Sequence, residues 1–184
     1  MPLPESRRAY EALPLTRRRA LHRLALSAGV AAPVLSLLDG SVPALAKSEE
    51  TDFGILYAAL ALEHHAVWLY RQGLERKLFP AGLRAYAVEF MGDHEGHRDT
   101  QVAIAEERGG RPPSTFASYP AGPLASSEHL LGQACLIEEA AQDAYLALIS
   151  EIRTQDYLLS AGFILVDEVR HLTVWKRVLG RKTW

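Results

Sequence analysis

From residue 51 onward, apolar side chains recur at spacings of three and four residues, which is the period of an amphipathic α-helix. This pattern predicts four helices, over about residues 51–77, 81–108, 126–153 and 156–179. Pro80, the pair Gly109-Gly110 and Gly180 stand where the first, second and fourth helices are expected to end. Ser126 or Ser127 is expected to cap the third helix. Because no stretch shows the strict alternation of a strand, the predicted fold class is all-α.

The connections between the predicted helices indicate a four-helix bundle. Short turns join helix 1 to helix 2 and helix 3 to helix 4, so each pair is expected to be antiparallel. The link from Gly109 to Ala125 has 17 residues. It can reach roughly 55 Å when extended, whereas a helix of the predicted length measures roughly 40 Å. We therefore expect a long crossover between helices 2 and 3 that lets helix 3 run parallel to helix 2.

The seam of each predicted helix is apolar except near its middle, where it carries residues able to bind a metal. These residues are Glu63 in helix 1, His94 and His97 in helix 2, Glu138 in helix 3, and Glu168 and His171 in helix 4. Residues three apart on a helix share a face, so the Glu168-x-x-His171 pair points inward together. Buried carboxylates and imidazoles cost free energy unless they are satisfied. The pattern predicts one shared metal site, and separate hydrogen-bonded core residues are the alternative.

Neighbouring polar residues leave some choices open. Glu139 is an alternative to Glu138, but Glu138 falls on the seam that also carries Tyr145. His64 and His65 directly follow Glu63 in the chain, and both cannot face the core. We expect His64 to contact a ligand residue and His65 to face solvent.

Composition narrows the class of protein. The chain has 184 residues, a formal net charge of −2 and 48% hydrophobic residues, which suits one domain with a real core. The chain is not strongly basic, so nucleic acid is not an expected partner. A single cysteine, Cys135, excludes an intrachain disulfide framework.

The N-terminal 46 residues look like an export signal. Three consecutive arginines at 17–19 precede an uncharged run over residues 24–38, which is shorter than the roughly 20 residues that a bilayer span needs. Ala44-Leu45-Ala46 then fits a cleavage site before Lys47. Residues 16–22 resemble the twin-arginine export motif, with Ala20 where that motif usually has Phe. We expect residues 1–46 to be a twin-arginine-like signal peptide and residues 47–184 a periplasmic or otherwise exported domain with no membrane span; a basic tail with a membrane-anchoring helix is the alternative.

The helix order and the inward Glu and Glu-x-x-His residues resemble the ferritin-like superfamily of di-metal carboxylate bundles. The resemblance covers about residues 51–179 and is strongest to exported bacterial members with an LEHHAVWLY-like first helix and an HEGHRD-like second helix. It implies that metals are held by the single glutamates of helices 1 and 3, by the fourth-helix pair and by the second-helix histidine, which are Glu63, Glu138, Glu168, His171 and His97. It also implies a catalytic role for Tyr145 beside the metals, as a hydrogen-bond donor or a radical-quenching group.

One position departs from the superfamily pattern. His94 stands where the second helix should offer a glutamate, and Glu95 lies about 100° further round the helix. The inner set then has three carboxylates and three imidazoles, so two divalent cations leave a charge of about +1. A bridging hydroxide or binding of one metal only would remove that excess. The resemblance implies iron, as a di-iron site, and the added imidazole also admits Mn, Zn or Cu.

Two functions follow from these expectations. The first is an exported metal-binding protein with redox activity toward oxygen or peroxide. The alternative is a non-enzymatic stress or interaction protein with a metal-free polar network in its core. Storage of iron as a mineral is a third and weaker idea. The sequence carries no readable oligomerisation signal, so a homo-oligomer stays open.

Overall fold

A computed structural model describes residues 49–119, 121–149 and 152–183. It contains four helices, α1 (Glu49–Glu75), α2 (Arg84–Glu107), α3 (Ser127–Leu148) and α4 (Gln155–Val178), and a short 3₁₀ turn before α2 (Ala81–Leu83). These described residues include no strand, which confirms the all-α prediction. None of the described helices is long and apolar enough to cross a membrane. The predicted signal peptide over residues 1–46 lies outside the described residues.

The helices pack as a square in which α1 and α4 each contact both α2 and α3. Arg76, just past the end of α1, donates a hydrogen bond of 2.7 Å to the carbonyl oxygen of Leu124, just before α3. Asp52, near the start of α1, accepts hydrogen bonds from the backbone amides of Arg153 and Thr154, beyond the end of α3. α1 and α3 are therefore antiparallel, and α3 runs parallel to α2. The predicted crossover topology is confirmed.

Glycines end two of the helices as predicted. Gly109 has a φ of 77°, and its amide donates to the carbonyl of Glu106 at 2.9 Å while the amide of Gly110 donates to Ala105 at 2.8 Å. This is the Schellman arrangement, which needs a left-handed residue after the helix. Gly180 has a φ of 63° and follows α4 in the same way.

The start of α3 agrees with the prediction, but its end does not. Ser126 caps the helix by accepting a hydrogen bond of 3.2 Å from the amide of His129. The predicted end at Arg153 is wrong, because α3 ends at Leu148. The buried carboxylate of Asp52 holds the amide of Thr154 at 2.8 Å, so the chain leaves the helix before that point and turns into α4. No glycine or proline marks this stop, and the contact that replaces one comes from a residue about 100 positions away in the sequence.

The crossover covers the outer face of α1. Tyr119 of the crossover stacks on the ring of His65 at a centroid distance of 5.2 Å, and it also packs against Trp68. The Nε2 atom of His64 lies 3.3 Å from the carbonyl oxygen of Pro113, to which it donates. His65 is only 3% exposed, so the expectation that it faces solvent is wrong. His64 bonds to the crossover backbone, and its expected contact with a ligand residue is replaced by this bond.

Close contact between α1 and α3 depends on Gly73. A Cβ atom at this position would lie 2.5 Å from the side chains of Leu130 and Phe79. The glycine therefore lets the two helices approach near the end of α1. Buried apolar side chains from all four helices fill the interior, and the polar cluster described next interrupts them at mid-height.

Candidate metal centre

The six residues predicted as metal ligands meet in the middle of the bundle. Each set of four potential ligands contains atoms that all lie within 4.8 Å of one another. The first set is Glu63, His94, His97 and Glu168, and the second is His94, Glu138, Glu168 and His171. The two sets share the His94 and Glu168 side chains. All six predicted residues thus come together, and their binding of a metal stays a prediction.

The first set has the spacing of a tetrahedral site. His94 Nδ1 lies 2.8 Å from Glu63 Oε2 and 3.6 Å from Glu168 Oε1. His97 Nδ1 lies 3.6 Å from the same Glu63 oxygen and 3.4 Å from the same Glu168 oxygen. Ligands at roughly 2.0–2.1 Å from a tetrahedral metal are about 3.3 Å from each other. The side chains are therefore spaced to surround a small cation.

The second set lies on the other side of the His94 ring. His94 Nε2 is 3.3 Å from Glu138 Oε1, and His171 Nδ1 is 3.5 Å from Glu138 Oε2. The His94 ring thus presents one nitrogen to Glu63 and the other to Glu138. It connects the two sets at the position where the superfamily pattern has a glutamate.

Several buried atoms in this cluster have no hydrogen-bond partner among the described residues. They are both carboxylate oxygens of Glu168, one oxygen of Glu138, and the Nδ1 atoms of His97 and His171. Each of these four residues belongs to at least one of the two sets, so the unpartnered atoms are the ones that a metal would use. A buried polar atom without a partner costs roughly 1–3 kcal/mol. The donor set therefore fits a metal ion chemically, and it is incomplete as a network of hydrogen bonds.

Two outer carboxylates orient the imidazoles. Asp167 Oδ2 lies 3.3 Å from His97 Nε2, and Asp93 Oδ2 lies 3.0 Å from His171 Nε2. A carboxylate that accepts the Nε2 proton leaves the Nδ1 lone pair facing the cluster, which is the usual arrangement behind a metal-bound histidine. Sequence reasoning missed Asp93, although it precedes His94 just as Asp167 precedes Glu168.

An exposed arginine ties these outer carboxylates together. Arg170 donates hydrogen bonds of 2.6 Å to Asp93 and to Glu89 on α2, and it lies 3.3 Å from Asp167 one turn earlier on α4. It thus links α4 to α2 and reduces the negative charge outside the cluster.

A tyrosine donates a hydrogen bond to each of the two glutamates that belong to only one ligand set. Tyr145 donates a hydrogen bond of 2.6 Å to Glu63 Oε1 and accepts one of 2.6 Å from Gln101. Tyr70 donates to Glu138 Oε1 and accepts from the indole nitrogen of Trp175. Tyr70 was missed from the sequence. Its signal is the spacing, because Tyr70 follows its helix's glutamate by one heptad as Tyr145 follows Glu138.

Burial and mutual attraction set the protonation of the cluster. Burial disfavours the ionised form of Glu63, but the hydrogen bond from His94 and the nearby imidazole of His97 lower its pKa to about 2. Burial also opposes the charge on His97, but the nearby carboxylates of Glu168 and Glu63 raise its pKa to about 10. Burial raises the pKa of Glu168 well above its usual value. Without metal, the cluster therefore holds protons that a bound cation has to displace.

Comparisons with known proteins agree with this architecture. Residues 51–181 match the model of a family described as a ferritin-like domain. Among solved structures, the chain is similar to one titled as a conserved hypothetical protein, rv2844, from Mycobacterium tuberculosis. The two are 27% identical with a TM-score of 0.66, and the match covers 72% of this chain and 94% of that chain. A search of the curated proteins finds no significant match.

Proposed function

Because the chain belongs to the ferritin-like domain family, we propose that its buried cluster binds one or two metal ions, with iron as the expected metal. We further propose that the bound metal serves redox chemistry with oxygen or peroxide. The observation that carries the metal proposal is the set of unpartnered nitrogen and oxygen atoms that converge from α2, α3 and α4. Separate core residues would be expected to satisfy one another.

The side chains divide between two adjacent positions. Glu63 and His97 would hold a cation on the side of α1, and Glu138 and His171 would hold one on the side of α3. Glu168 belongs to both sets, and each of its carboxylate oxygens is free of hydrogen bonds from the described residues. It can therefore contribute one oxygen to each position. His94 can contribute one of its two ring nitrogens to either position.

Bound metal and two features of the protein would support chemistry at this centre. Bound iron would supply the electrons for reduction of oxygen or peroxide. Burial of Glu63, Glu138 and Glu168 to 1% exposure or less excludes bulk water from their inner faces. Burial raises the pKa of Tyr145 well above its usual value, so its hydroxyl group keeps its proton. It can donate that proton or a hydrogen bond at Glu63 Oε1, and this is the role we propose for Tyr145.

A cation can approach from the α2–α4 side. The His97 side chain is 11% exposed, which makes it the most accessible of the six. Asp167 and Asp93 flank this side with side chains that are about one-third exposed. Together with Glu89 they outnumber Arg170, the cation that pairs with them. An excess of carboxylates at the rim of a buried site attracts cations over distances of about a Debye length. We refer to Asp93 and Asp167 as the acidic entrance.

The test measures metal content and oxidation together. The purified protein is loaded with ferrous iron without oxygen, desalted, analysed for metal and then exposed to oxygen. We expect one to two irons per chain and their oxidation on mixing. The double variant Glu168→Gln, His171→Leu should lose both properties. Glu139→Gln is the matched control, because Glu139 is adjacent to Glu138 but pairs with Lys176 at 3.3 Å.

One observation favours the alternative function, a non-enzymatic stress or interaction protein with a metal-free polar network in its core. His94 lies within hydrogen-bond distance of Glu63 and of Glu138, so a protonated His94 could take the place of a cation. A protein of this kind would carry well under one metal per chain after loading, and its melting temperature would not respond to metal. Either result would sink the metal proposal and favour a structural polar network.

Export is the second part of the proposal, and it rests on the sequence of residues 16–46. The expected product of cleavage begins at Lys47. N-terminal sequencing of the protein from the periplasm or medium of a bacterial host tests this directly. Replacing Arg17 and Arg18 by lysine should hold the protein inside the cell, whereas the same change at Arg7 and Arg8 should leave export intact.

A further inference from the structure

A small apolar cavity lies between the candidate metal centre and the end of the bundle where α1 and α4 begin. Its wall is made mainly by Leu56, Ala59, Ile152, Ala161 and Ile164. Ala59 lies four residues before Glu63 on α1, and Ile164 lies four residues before Glu168 on α4. The cavity is therefore one helical turn from the carboxylates of the centre.

A hydrogen-bonded pair of side chains lines the inner end of the cavity, between it and the candidate metal centre. Gln101 and Tyr145 both line the cavity, and the Gln101 amide donates to the Tyr145 hydroxyl group at 2.6 Å. That hydroxyl group in turn donates to Glu63. A molecule at the inner end is thus one side chain away from the first set of ligands. At the other end, the partly exposed Ile55 and Ser160 mark the side nearer to solvent.

The size and lining of the cavity select its occupant. The centre of a water-sized molecule can occupy a volume of about 20 Å³ in this cavity. By the same measure, one water molecule needs roughly 10–15 Å³. A buried water also needs two to four polar partners. The carboxylate of Asp52 is engaged with backbone amides, and Gln101 Oε1 is a buried acceptor without a partner in the part of the chain that the structure describes. Tyr157 and Ser160 also line the cavity, but nearly all of the surface that the lining residues present to it is apolar. Such a surface does not hold a water well, whereas a small apolar molecule needs no polar partner.

We propose that this cavity is the route by which dioxygen reaches the centre, separate from the acidic entrance used by cations. The inference rests on the proposed function, because it names the path of the oxidant to that same site. The two approaches differ in chemistry and in place. Charged carboxylates line the side near His97, and aliphatic side chains line the end of the bundle where α1 and α4 begin.

The experiment compares a variant that fills the cavity with one that enlarges it. Ala161→Leu adds three carbon atoms to the wall, and Ile164→Val removes one. Both changes disturb the same core, so a general loss of stability affects both. Each protein is loaded with ferrous iron, its iron content is measured, and its oxidation is followed by stopped flow over a series of oxygen concentrations and separately with hydrogen peroxide. Crystals of the unchanged protein are pressurised with xenon, which reports apolar cavities.

We expect xenon in the cavity of the unchanged protein and equal iron content in all three proteins. Filling a space of about one molecule should lower the second-order rate constant for oxygen about tenfold in Ala161→Leu, which corresponds to a barrier higher by about 1.4 kcal/mol. Ile164→Val should keep this constant or increase it. Peroxide is polar and should use the acidic entrance, so its rate should be unchanged in both variants.

Three results would overturn the inference. They are an absence of xenon from the cavity, an oxygen rate constant in Ala161→Leu equal to that of the unchanged protein, and an equal slowing of the oxygen and peroxide reactions. The last result would show that the added side chain disturbs the centre itself. A protein that binds no iron would fail the proposed function at the loading step, before any rate is compared, so the two failures are distinguishable.

Discussion

The change Glu168→Gln separates the two accounts of the polar cluster. Glu168 is fully buried, and neither of its carboxylate oxygens has a hydrogen bond from the described residues. Burial raises its pKa well above the usual value, which favours the neutral acid in the metal-free protein. Glutamine has nearly the same shape and is also neutral. We therefore expect the metal-free variant to melt within about 2 °C of the unchanged protein, since a neutral isostere leaves the packing intact.

The metal-bound state should respond in the opposite way. A ligand at 100 times its dissociation constant stabilises the protein by about 2.7 kcal/mol. For a domain of this size, that corresponds to a rise in melting temperature of roughly 10 °C. Glu168 is shared by both ligand sets, so the glutamine variant should lose most of this rise.

The assay is thermal unfolding followed by circular dichroism, with EDTA in one series and excess Mn²⁺, which does not react rapidly with oxygen, in the other. Glu139→Gln serves as the matched control and should keep the full response to metal. A variant at Glu168 that keeps the metal response would refute the role of this carboxylate. A variant that melts far lower without metal would show that an ionised Glu168 is a structural partner in a metal-free network.

Three further predictions address the surroundings of the centre and the packing of the bundle. Asp93→Asn should lower Mn²⁺ affinity about 10- to 100-fold in isothermal titration because His171 loses its orienting acceptor, whereas Asp99→Asn on the surface should change it little. The pKa of His97 is raised from 6.5 to about 10, so its contribution to stability is complete below pH 6.5 and is lost as the pH rises through 10. Urea unfolding of the metal-free protein from pH 7 to 10 should therefore show a falling free energy of unfolding. The variant His97→Gln should show a smaller fall over the same range. Gly73→Ala should destabilise the fold by about 1–3 kcal/mol in the same assay, whereas Gly132→Ala, where a Cβ atom meets nothing within 4 Å, should be neutral or stabilising.

The bundle could be predicted from the sequence because its determinants are local. Spacings of three and four residues identify the helices, and Gly109 and Gly180 mark two of the ends with the left-handed backbone that glycine adopts most easily. The crossover of 17 residues is long enough to span the bundle, so a parallel arrangement of α2 and α3 could be predicted. The end of α3 could not be predicted in this way, because it depends on Asp52, which comes from the far end of the folded unit.

The candidate site likewise has a part that the local sequence pattern predicts and a part that depends on contacts between helices. The six inner residues could be found because each lies on a seam that is otherwise apolar. The histidine that each outer carboxylate contacts could not be predicted from periodicity, since Asp93 and Asp167 lie beside the seam and only the packing of α2 against α4 brings each to the opposite histidine. The burial of His65 was missed for a related reason, because Tyr119 of the crossover covers a face that the helix alone would leave open.

The most direct test of the central claim is anomalous diffraction at the iron edge from crystals loaded with ferrous iron without oxygen. The account predicts peaks enclosed by the six side chains, one beside Glu63 and His97 and a second beside Glu138 and His171. A single peak at either position would support metal binding with one ion. No peak within bonding distance of Glu168 would contradict the account and leave the cluster as a network of hydrogen bonds.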